Sequence, residues 1–227
     1  MRNSIKVVFL EFIIIYLKKM QIKIIENFLT KKDFEEINSI ILDKVDKNKM
    51  RVYHNSIRNN EIIKNDCFGH NLLKQLQYNY HLKAIKILKE INPLKANLYD
   101  YSEFHLIETG SNYEFPIHDD TPNKLLSGVI YLRPEKNVGT IFYNNKRGEG
   151  KNEIDWKINR AVFFSRSEKN TWHSYKGDGK ANRIALVYNL MTNRIRDVYK
   201  IEKKSYLLGQ LRYKLNPYIH RYFNFTI

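Results

Sequence analysis

Four short runs of apolar, β-branched and aromatic residues in the second half of the chain constrain its fold most. They read K-L-L-S-G-V-I-Y-L, G-T-I-F-Y, R-A-V-F-F-S and R-I-A-L-V-Y-N-L. Runs of this length and composition predict β-strands, and strands that follow one another closely predict a sandwich or a barrel. We therefore expect a mainly β protein, with strands dominating from about residue 98 to residue 191.

Two histidines and one carboxylate stand among these runs. His118 and Asp120 lie in F-P-I-H-D-D before the first run, and His173 lies in T-W-H-S after the third. Residues i and i+2 of a strand point to the same side of a sheet, so His118 and Asp120 can reach one ion while Asp119 points away. Two histidines and one carboxylate on one face of an octahedral ion leave three positions open, as in non-heme iron(II) sites.

The H-x-[DE] spacing alone carries little information. With 7 histidines and 24 acidic residues in 227 positions, about 0.7 matches arise by chance. The strands that surround the motif therefore carry the interpretation.

With these strands, residues 101 to 191 resemble the iron(II)/2-oxoglutarate-dependent dioxygenases, specifically their prolyl-hydroxylase-like branch. In that family an H-x-D motif precedes a Y-L strand, a strand of the G-[GT]-T type, an apolar strand, a distal histidine and then a basic residue nine or ten positions later. The matching positions here are His118 and Asp120, Tyr131-Leu132, Gly139-Thr140, residues 161–165, His173 and Arg183.

The resemblance implies a double-stranded β-helix, a jelly-roll or cupin-like barrel with flanking helices. It implies that His118, Asp120 and His173 bind Fe(II), and that Arg183 holds the distal carboxylate of 2-oxoglutarate with the Tyr131 hydroxyl as a second donor. O2 would be the oxidant and ascorbate a supporting reductant, and the reaction would be a hydroxylation that releases succinate and CO2. A planar guanidinium pairs well with a carboxylate, and Arg183 opens an apolar strand where an unpaired charge is costly.

Three positions separate this chain from parts of the family. Ala185 stands where many relatives have a serine, and Asn189 stands where nucleic-acid demethylases carry a second arginine. Asp120 is present, whereas halogenating relatives have a small residue. We expect hydroxylation of a small molecule, glycan or peptide rather than of nucleic acid. The alternative is a non-catalytic jelly-roll module that recognises sugar, protein or an anionic surface.

The composition indicates which cellular compartment and which partners suit the protein. A single cysteine, Cys67, excludes an intramolecular disulfide and favours a reducing, cytoplasmic compartment. The formal net charge of +15 is compatible with an anionic partner, but also with the lysine and asparagine bias of an AT-rich genome.

Both ends of the chain predict appendages to one domain at residues 20–192. Residues 7–17 are apolar but contain Glu11 and fall short of the roughly 20 residues that span a bilayer. We expect residues 1–19 to be an extension that precedes the domain, and the alternative is an extra helix packed on the core. Residues 193–227 predict a basic helical tail whose apolar stripe either packs on the domain or contacts a membrane surface or acidic partner. The stripe is interrupted by Pro217 and consists of Leu207, Leu211, Leu215 and Tyr222.

Helical periodicity predicts two further helices. The first is capped by Thr30 and carries Phe34, Ile37, Ile40, Ile41 and Val45; the second runs from about residue 81 to 91 with Leu82, Ile85, Leu88 and Ile91 on one face. Residues 47–79 show no clear period and predict loops.

Other polar residues have two open interpretations. Lys124 and Ser127 either orient the substrate or groups around the metal ligands, or lie at the surface, and His105 either lines the pocket or is an ordinary strand residue. The segment from Gly148 to Gly150 predicts a hairpin turn.

Overall fold

Two antiparallel β-sheets with flanking helices form the protein, whose computed structural model describes residues 22–167 and 170–223. The larger sheet contains β1 (Ile22–Ile25), β2 (Met50–Tyr53), β3 (Asn55–Arg58), β4 (Glu61–Asn65), β5 (Tyr101–Thr109), β7 (Lys124–Arg133), β10 (Ala161–Phe164) and β12 (Arg183–Met191). The smaller sheet contains β6 (Glu114–His118), β8 (Ile141–Tyr143), β9 (Asn152–Glu153) and β11 (Trp172–Lys176). The helices are α1 (Lys31–Asn38), α2 (His70–Ile91), α3 (Pro93–Ala96), α4 (Ile195–Ile201) and α5 (Tyr206–Phe223).

The strand order is β1-β10-β7-β12-β5-β3-β4 in the larger sheet, with β2 also on β5, and β6-β11-β8-β9 in the smaller sheet. The prediction of a mainly β protein with flanking helices is confirmed. The N-terminal extension and its boundary at Met20 lie outside the described residues, and the domain boundaries stay predictions. None of the helices in the described ranges is long and apolar enough to cross a membrane.

The larger sheet has two different faces because side chains alternate along each strand. In β12, Ile184, Leu186 and Leu190 join the core that includes residues of helix α2. On the neighbouring strands β7 and β10, Tyr131 and Val162 belong instead to a second cluster with Phe142 of the smaller sheet. One face therefore anchors the helices, and the other faces the space between the sheets.

Strands β2, β3 and β4 correct the prediction of loops at residues 47–79. Asn59 and Asn60 connect β3 to β4 with positive φ angles of 48° and 64°. Two consecutive residues with positive φ form the tight turn that matches the twist of a β-hairpin. Strands β2 and β3 pair with the same edge of β5, and β4 pairs with β3.

Both predicted helices have different bounds from those expected. Helix α1 has the Thr30 cap, whose Oγ1 accepts a hydrogen bond from the Asp33 backbone N–H at 3.1 Å, but it ends at Asn38. Helix α2 begins at His70, and its buried face follows Leu73, Leu76 and Tyr80. The predicted face is therefore wrong at Leu82, which is 78% exposed.

The C-terminal tail packs on the domain only in its first part. Val198 and Tyr199 of α4 are buried, whereas Leu207 and Leu211 of α5 are exposed. The interpretation that the leucine stripe docks on its own domain is therefore wrong. Near residue 148 the predicted turn is confirmed, since Gly148 has φ 84° and the Asn144 N–H donates to the Glu149 carbonyl.

A buried carboxylate joins α1 to α2. Asp33 accepts side-chain hydrogen bonds from Tyr80 and Gln75 and one from Asn79 at 3.0 Å. The Tyr80 hydroxyl also accepts a hydrogen bond of 2.8 Å from the Thr30 backbone N–H. Burial, and then the bond to Asp33, raise the pKa of Tyr80 to about 12.

We expect Tyr80→Phe to lower the free energy of unfolding by about 1–3 kcal/mol, because it leaves the Thr30 N–H and the Asp33 carboxylate short of a partner. Urea unfolding followed by circular dichroism measures the change. Tyr78→Phe is the matched control on the same helix, because Tyr78 is 87% exposed. Equal effects of the two substitutions would contradict the proposed role of the Asp33 network.

Candidate metal centre

The two histidines predicted as ligands lie side by side on neighbouring strands of the smaller sheet. His118 ends β6 and His173 lies on β11, and the two are directly paired in the antiparallel register. Their ring centroids are 4.1 Å apart. Strand pairing therefore brings two imidazoles to the same point on one sheet face.

The backbone orients both imidazole rings in the same way. Nδ1 of His118 lies 2.9 Å from the Pro116 carbonyl oxygen, and Nδ1 of His173 lies 2.9 Å from the Thr171 carbonyl oxygen. A carbonyl can only accept, so each Nδ1 carries the proton and each Nε2 keeps a lone pair for a metal ion. Burial, with His173 second, lowers the pKa of His118 to about 3, and burial lowers the pKa of His173. Both rings are therefore neutral at neutral pH, as metal ligands must be.

Asp120 lies two residues beyond the end of β6, not on the strand as predicted, and still reaches the histidines. A ligand atom from each of His118, Asp120 and His173 lies within 4.8 Å of the others. Because ligands that share an ion at roughly 2 Å lie at most about 4 Å apart, these atoms are close to the separation that one ion requires.

Lys124 and Ser127 orient the Asp120 carboxylate. Lys124 Nζ donates to Oδ1 at 2.7 Å, and the Ser127 hydroxyl donates to Oδ2 at 2.5 Å. Burial alone would raise the pKa of Asp120, but Lys124 and the two histidines hold it below its usual range. Each carboxylate oxygen has a second lone pair, so Asp120 can still bind a metal ion.

Asp119 points away from the histidines, as predicted, into a buried charge network. Arg166 Nε donates to its Oδ2 at 2.9 Å, and Arg166 Nη2 lies 3.4 Å from Glu202 Oε2. Lys95 Nζ lies 2.7 Å from Glu202 Oε1. The network, which the sequence did not indicate, links the segment before Asp120 to the end of α4.

Arg183 is buried at the start of β12 without a carboxylate partner among the described residues. Its guanidinium carbon lies 3.4 Å from the centroid of the Tyr175 ring. Nη1 makes only a 3.4 Å contact with the Val138 carbonyl oxygen, and Nε is buried with no hydrogen-bond partner. Burial lowers the pKa of Arg183. A buried guanidinium left in this state is costly, so the position fits an anionic ligand.

The Tyr131 hydroxyl is engaged with Thr140. It donates to Thr140 Oγ1 at 3.0 Å and accepts from the Thr140 N–H at 2.9 Å. The Tyr131 ring stacks on Trp156 with centroids 4.5 Å apart, and the Arg183 guanidinium lies 5.6 Å from the Trp156 ring centroid. Because Thr140 Oγ1 accepts a hydrogen bond from Tyr131, the hydroxyl proton of Thr140 itself points away from Tyr131.

Sequence reasoning missed Tyr175, Trp156 and the role of Thr140. Tyr175 had a usable signal, because it lies two residues after His173 on one strand and therefore shares its face. Trp156 lies in a loop, where no periodicity indicates its position.

His105 lies on β5 among other polar groups. Its ring centroid is 4.6 Å from that of His54, and its Nε2 lies 3.4 Å from Glu103 Oε2. Burial, with His54 second, lowers the pKa of His105 to about 3. A role of His105 in substrate binding stays a prediction.

Comparison with solved structures identifies the fold. A scan of protein-family models and a search of curated proteins gave no match. A 2OG-Fe(II) oxygenase family oxidoreductase from Burkholderia pseudomallei has a TM-score of 0.55 at 13% identity, with 78% of this chain and 89% of that chain covered. IDO from Bacillus thuringiensis has a TM-score of 0.51 at 10% identity, with 79% and 96% covered.

A third neighbour is the prolyl hydroxylase from Trichoplax adhaerens, in complex with a peptide fragment of the hypoxia inducible factor oxygen degradation domain. Its TM-score is 0.54 at 16% identity, with 79% of this chain and 87% of that chain covered. The chain therefore has the jelly-roll fold of the 2-oxoglutarate- and iron(II)-dependent oxygenases, including prolyl hydroxylases.

Proposed function

We propose that the protein is an Fe(II)- and 2-oxoglutarate-dependent oxygenase that hydroxylates a C–H bond of its substrate. The observation that carries this proposal is a combination of two features. The Nε atom of the buried Arg183 has no hydrogen-bond partner, and His118, Asp120 and His173 form a cluster of possible metal ligands. A metal site alone has many uses. A metal site together with a buried guanidinium that needs an anion matches a cosubstrate that chelates metal and carries a second carboxylate.

Iron would be held by Nε2 of His118, Nε2 of His173 and one oxygen of Asp120. When bound together, iron(II) and 2-oxoglutarate supply the oxidising chemistry, in which one O2 oxygen enters succinate and the other enters the hydroxylated product with release of CO2. Three protein ligands leave three positions for the cosubstrate and O2.

The protein's own residues prepare the ligands before any reaction. The Pro116 and Thr171 carbonyls hold the two imidazole tautomers, and Lys124 with Ser127 holds the carboxylate. Aromatic rings pack around the histidines: the Phe115 centroid lies 4.3 Å from the His118 ring centroid, and the Phe164 centroid lies 4.8 Å from that of His173.

The distal carboxylate of 2-oxoglutarate would pair with Arg183. Tyr175 holds the guanidinium plane from one side, so its N–H groups keep a fixed direction. The resemblance to the family implies Tyr131 as the second donor, but the Tyr131 hydroxyl proton is directed to Thr140. We propose that Thr140 donates to the carboxylate in its place, while Tyr131 orients the Thr140 hydroxyl.

The proposed substrate is a small molecule, a glycan or a peptide. The Trichoplax neighbour is a peptide complex, which favours testing peptides first. The alternative function, a binding module without catalysis, gives no role to the unpaired Arg183. Adding Fe(II) and 2-oxoglutarate without O2 tests the difference, because the chelate produces a weak visible absorption band and a binding module produces none.

Replacing His118, Asp120 or His173 with Ala should abolish stoichiometric iron binding, because each residue supplies one of three ligands to the ion. Anaerobic titration with Fe(II), followed by measurement of protein-bound iron, gives the result. Asp119→Asn is the control, because the amide still accepts the hydrogen bond from Arg166. Loss of iron in Asp119→Asn, with retention in Asp120→Ala, would show that the wrong carboxylate was assigned.

Arg183→Ala should raise the 2-oxoglutarate concentration needed for half-maximal turnover by roughly 30-fold or more, since loss of a buried charged pair costs about 2–5 kcal/mol. Turnover is followed as succinate formation in the presence of ascorbate, the proposed supporting reductant. Iron affinity should not change. The control is Arg51→Ala, which removes a largely exposed partner of Asp43. An unchanged 2-oxoglutarate requirement in Arg183→Ala would refute the assignment.

A further inference from the structure

Helix α5 is fixed by one face and exposed on the opposite face. Gly209 packs against Tyr199 of α4 so closely that an added Cβ would lie 2.2 Å from the Tyr199 ring. The Tyr206 ring lies 6.1 Å from the Tyr199 ring, and the Arg196 guanidinium lies 5.1 Å from the Tyr206 ring centroid. These contacts determine which side of α5 faces outward.

The outward side of α5 is an apolar stripe. Leu207, Leu211, Leu215 and Tyr218 follow one another at helical spacing and share one face, because a helix has 3.6 residues per turn, and Leu208 lies beside them. Leu207 is 78% exposed, Leu208 65% and Leu211 56%. Five large apolar side chains in a row form an exposed patch of the kind that marks an interaction site.

The charges around the stripe have one sign. Helical geometry places Arg212 and Lys214 at its two edges, and α5 contains no acidic residue. Between residues 193 and 227 the chain has eight basic residues and two acidic ones. A leucine-rich stripe bordered by basic residues is the pattern of helices that lie in the plane of a membrane surface.

We propose that α5 binds the surface of an anionic lipid bilayer through the stripe formed by Leu207, Leu208, Leu211, Leu215 and Tyr218. The leucines enter the boundary between headgroups and acyl chains, and the basic edges pair with lipid phosphates. A second copy of this chain is a poorer occupant, because it would bring the same excess of positive charge to the interface. The proposal does not depend on the oxygenase function.

Vesicle flotation of the full chain tests the proposal. The protein should float with vesicles of equal parts phosphatidylcholine and phosphatidylglycerol, and much less with phosphatidylcholine alone. Added salt should release it, because salt screens the phosphate contacts. The double variant Leu207→Gln/Leu211→Gln should need roughly tenfold more lipid, or a larger excess, for half-maximal flotation, since even partial burial of two leucines is worth more than about 1.4 kcal/mol.

The matched control is Ile41→Gln/Leu82→Gln, which changes two residues that are 96% and 78% exposed elsewhere on the domain. It should float like the unchanged protein. Melting temperatures of all variants confirm that they are folded, which is expected because the four positions are exposed.

Three results would overturn the proposal. The first is equal flotation of the α5 variant and the control, which would place lipid binding elsewhere, for instance in the apolar residues 7–17. The second is equal flotation with neutral vesicles. The third is no flotation at all. Light scattering then distinguishes a monomer from an oligomer that the α5 variant dissociates, and either state contradicts lipid binding by α5.

Discussion

The period-two alternation of side chains in the larger sheet is the constraint on which the rest of the structure depends. Each of its central strands supplies one face to the helices and the other to the space between the sheets. In β12 the same nine residues contribute both Ile184 and Leu186 to the core and Arg183 to the candidate site. A register shift of one residue would exchange these faces, so core packing and site geometry are selected together.

The interior also contains buried charged residues, which apolar packing between the sheets and helices does not explain. The network of Asp119, Arg166, Glu202 and Lys95 contains two acids and two bases, and such networks contribute little net stability compared with apolar packing. Its effect is on position: it holds the end of α4 next to Asp119, the residue that precedes Asp120. Arg183 differs, because its charge has no opposite partner in the described residues and its guanidinium packs against the Tyr175 ring instead.

The strands and the candidate ligands could be predicted from the sequence, since both follow local rules. Short apolar runs indicate strands, and the close spacing of His118 and Asp120 indicates a shared site, although Asp120 reaches it from beyond the end of β6 and not from the strand. Strands β2 and β3 could not be predicted in the same way, because they form by pairing with β5, which is distant in the sequence. The start of α2 at His70 was missed since the polar residues before residue 81 hide the buried face of Leu73 and Leu76. Residues such as Arg166 and Glu202 meet across long chain separations that no local pattern reports.

The charge network also connects the C-terminal helices to the segment beside the candidate metal ligands. Glu202 follows α4 directly, and Tyr199 of α4 packs against Gly209 of α5. The helix proposed to lie on a membrane is therefore joined through two successive contacts to Arg166, and through Arg166 to Asp119 beside the candidate iron ligand Asp120. Packed side chains and buried ion pairs thus form a continuous set of contacts from α5 to the segment that carries Asp119, and close packing of this kind resists small displacements.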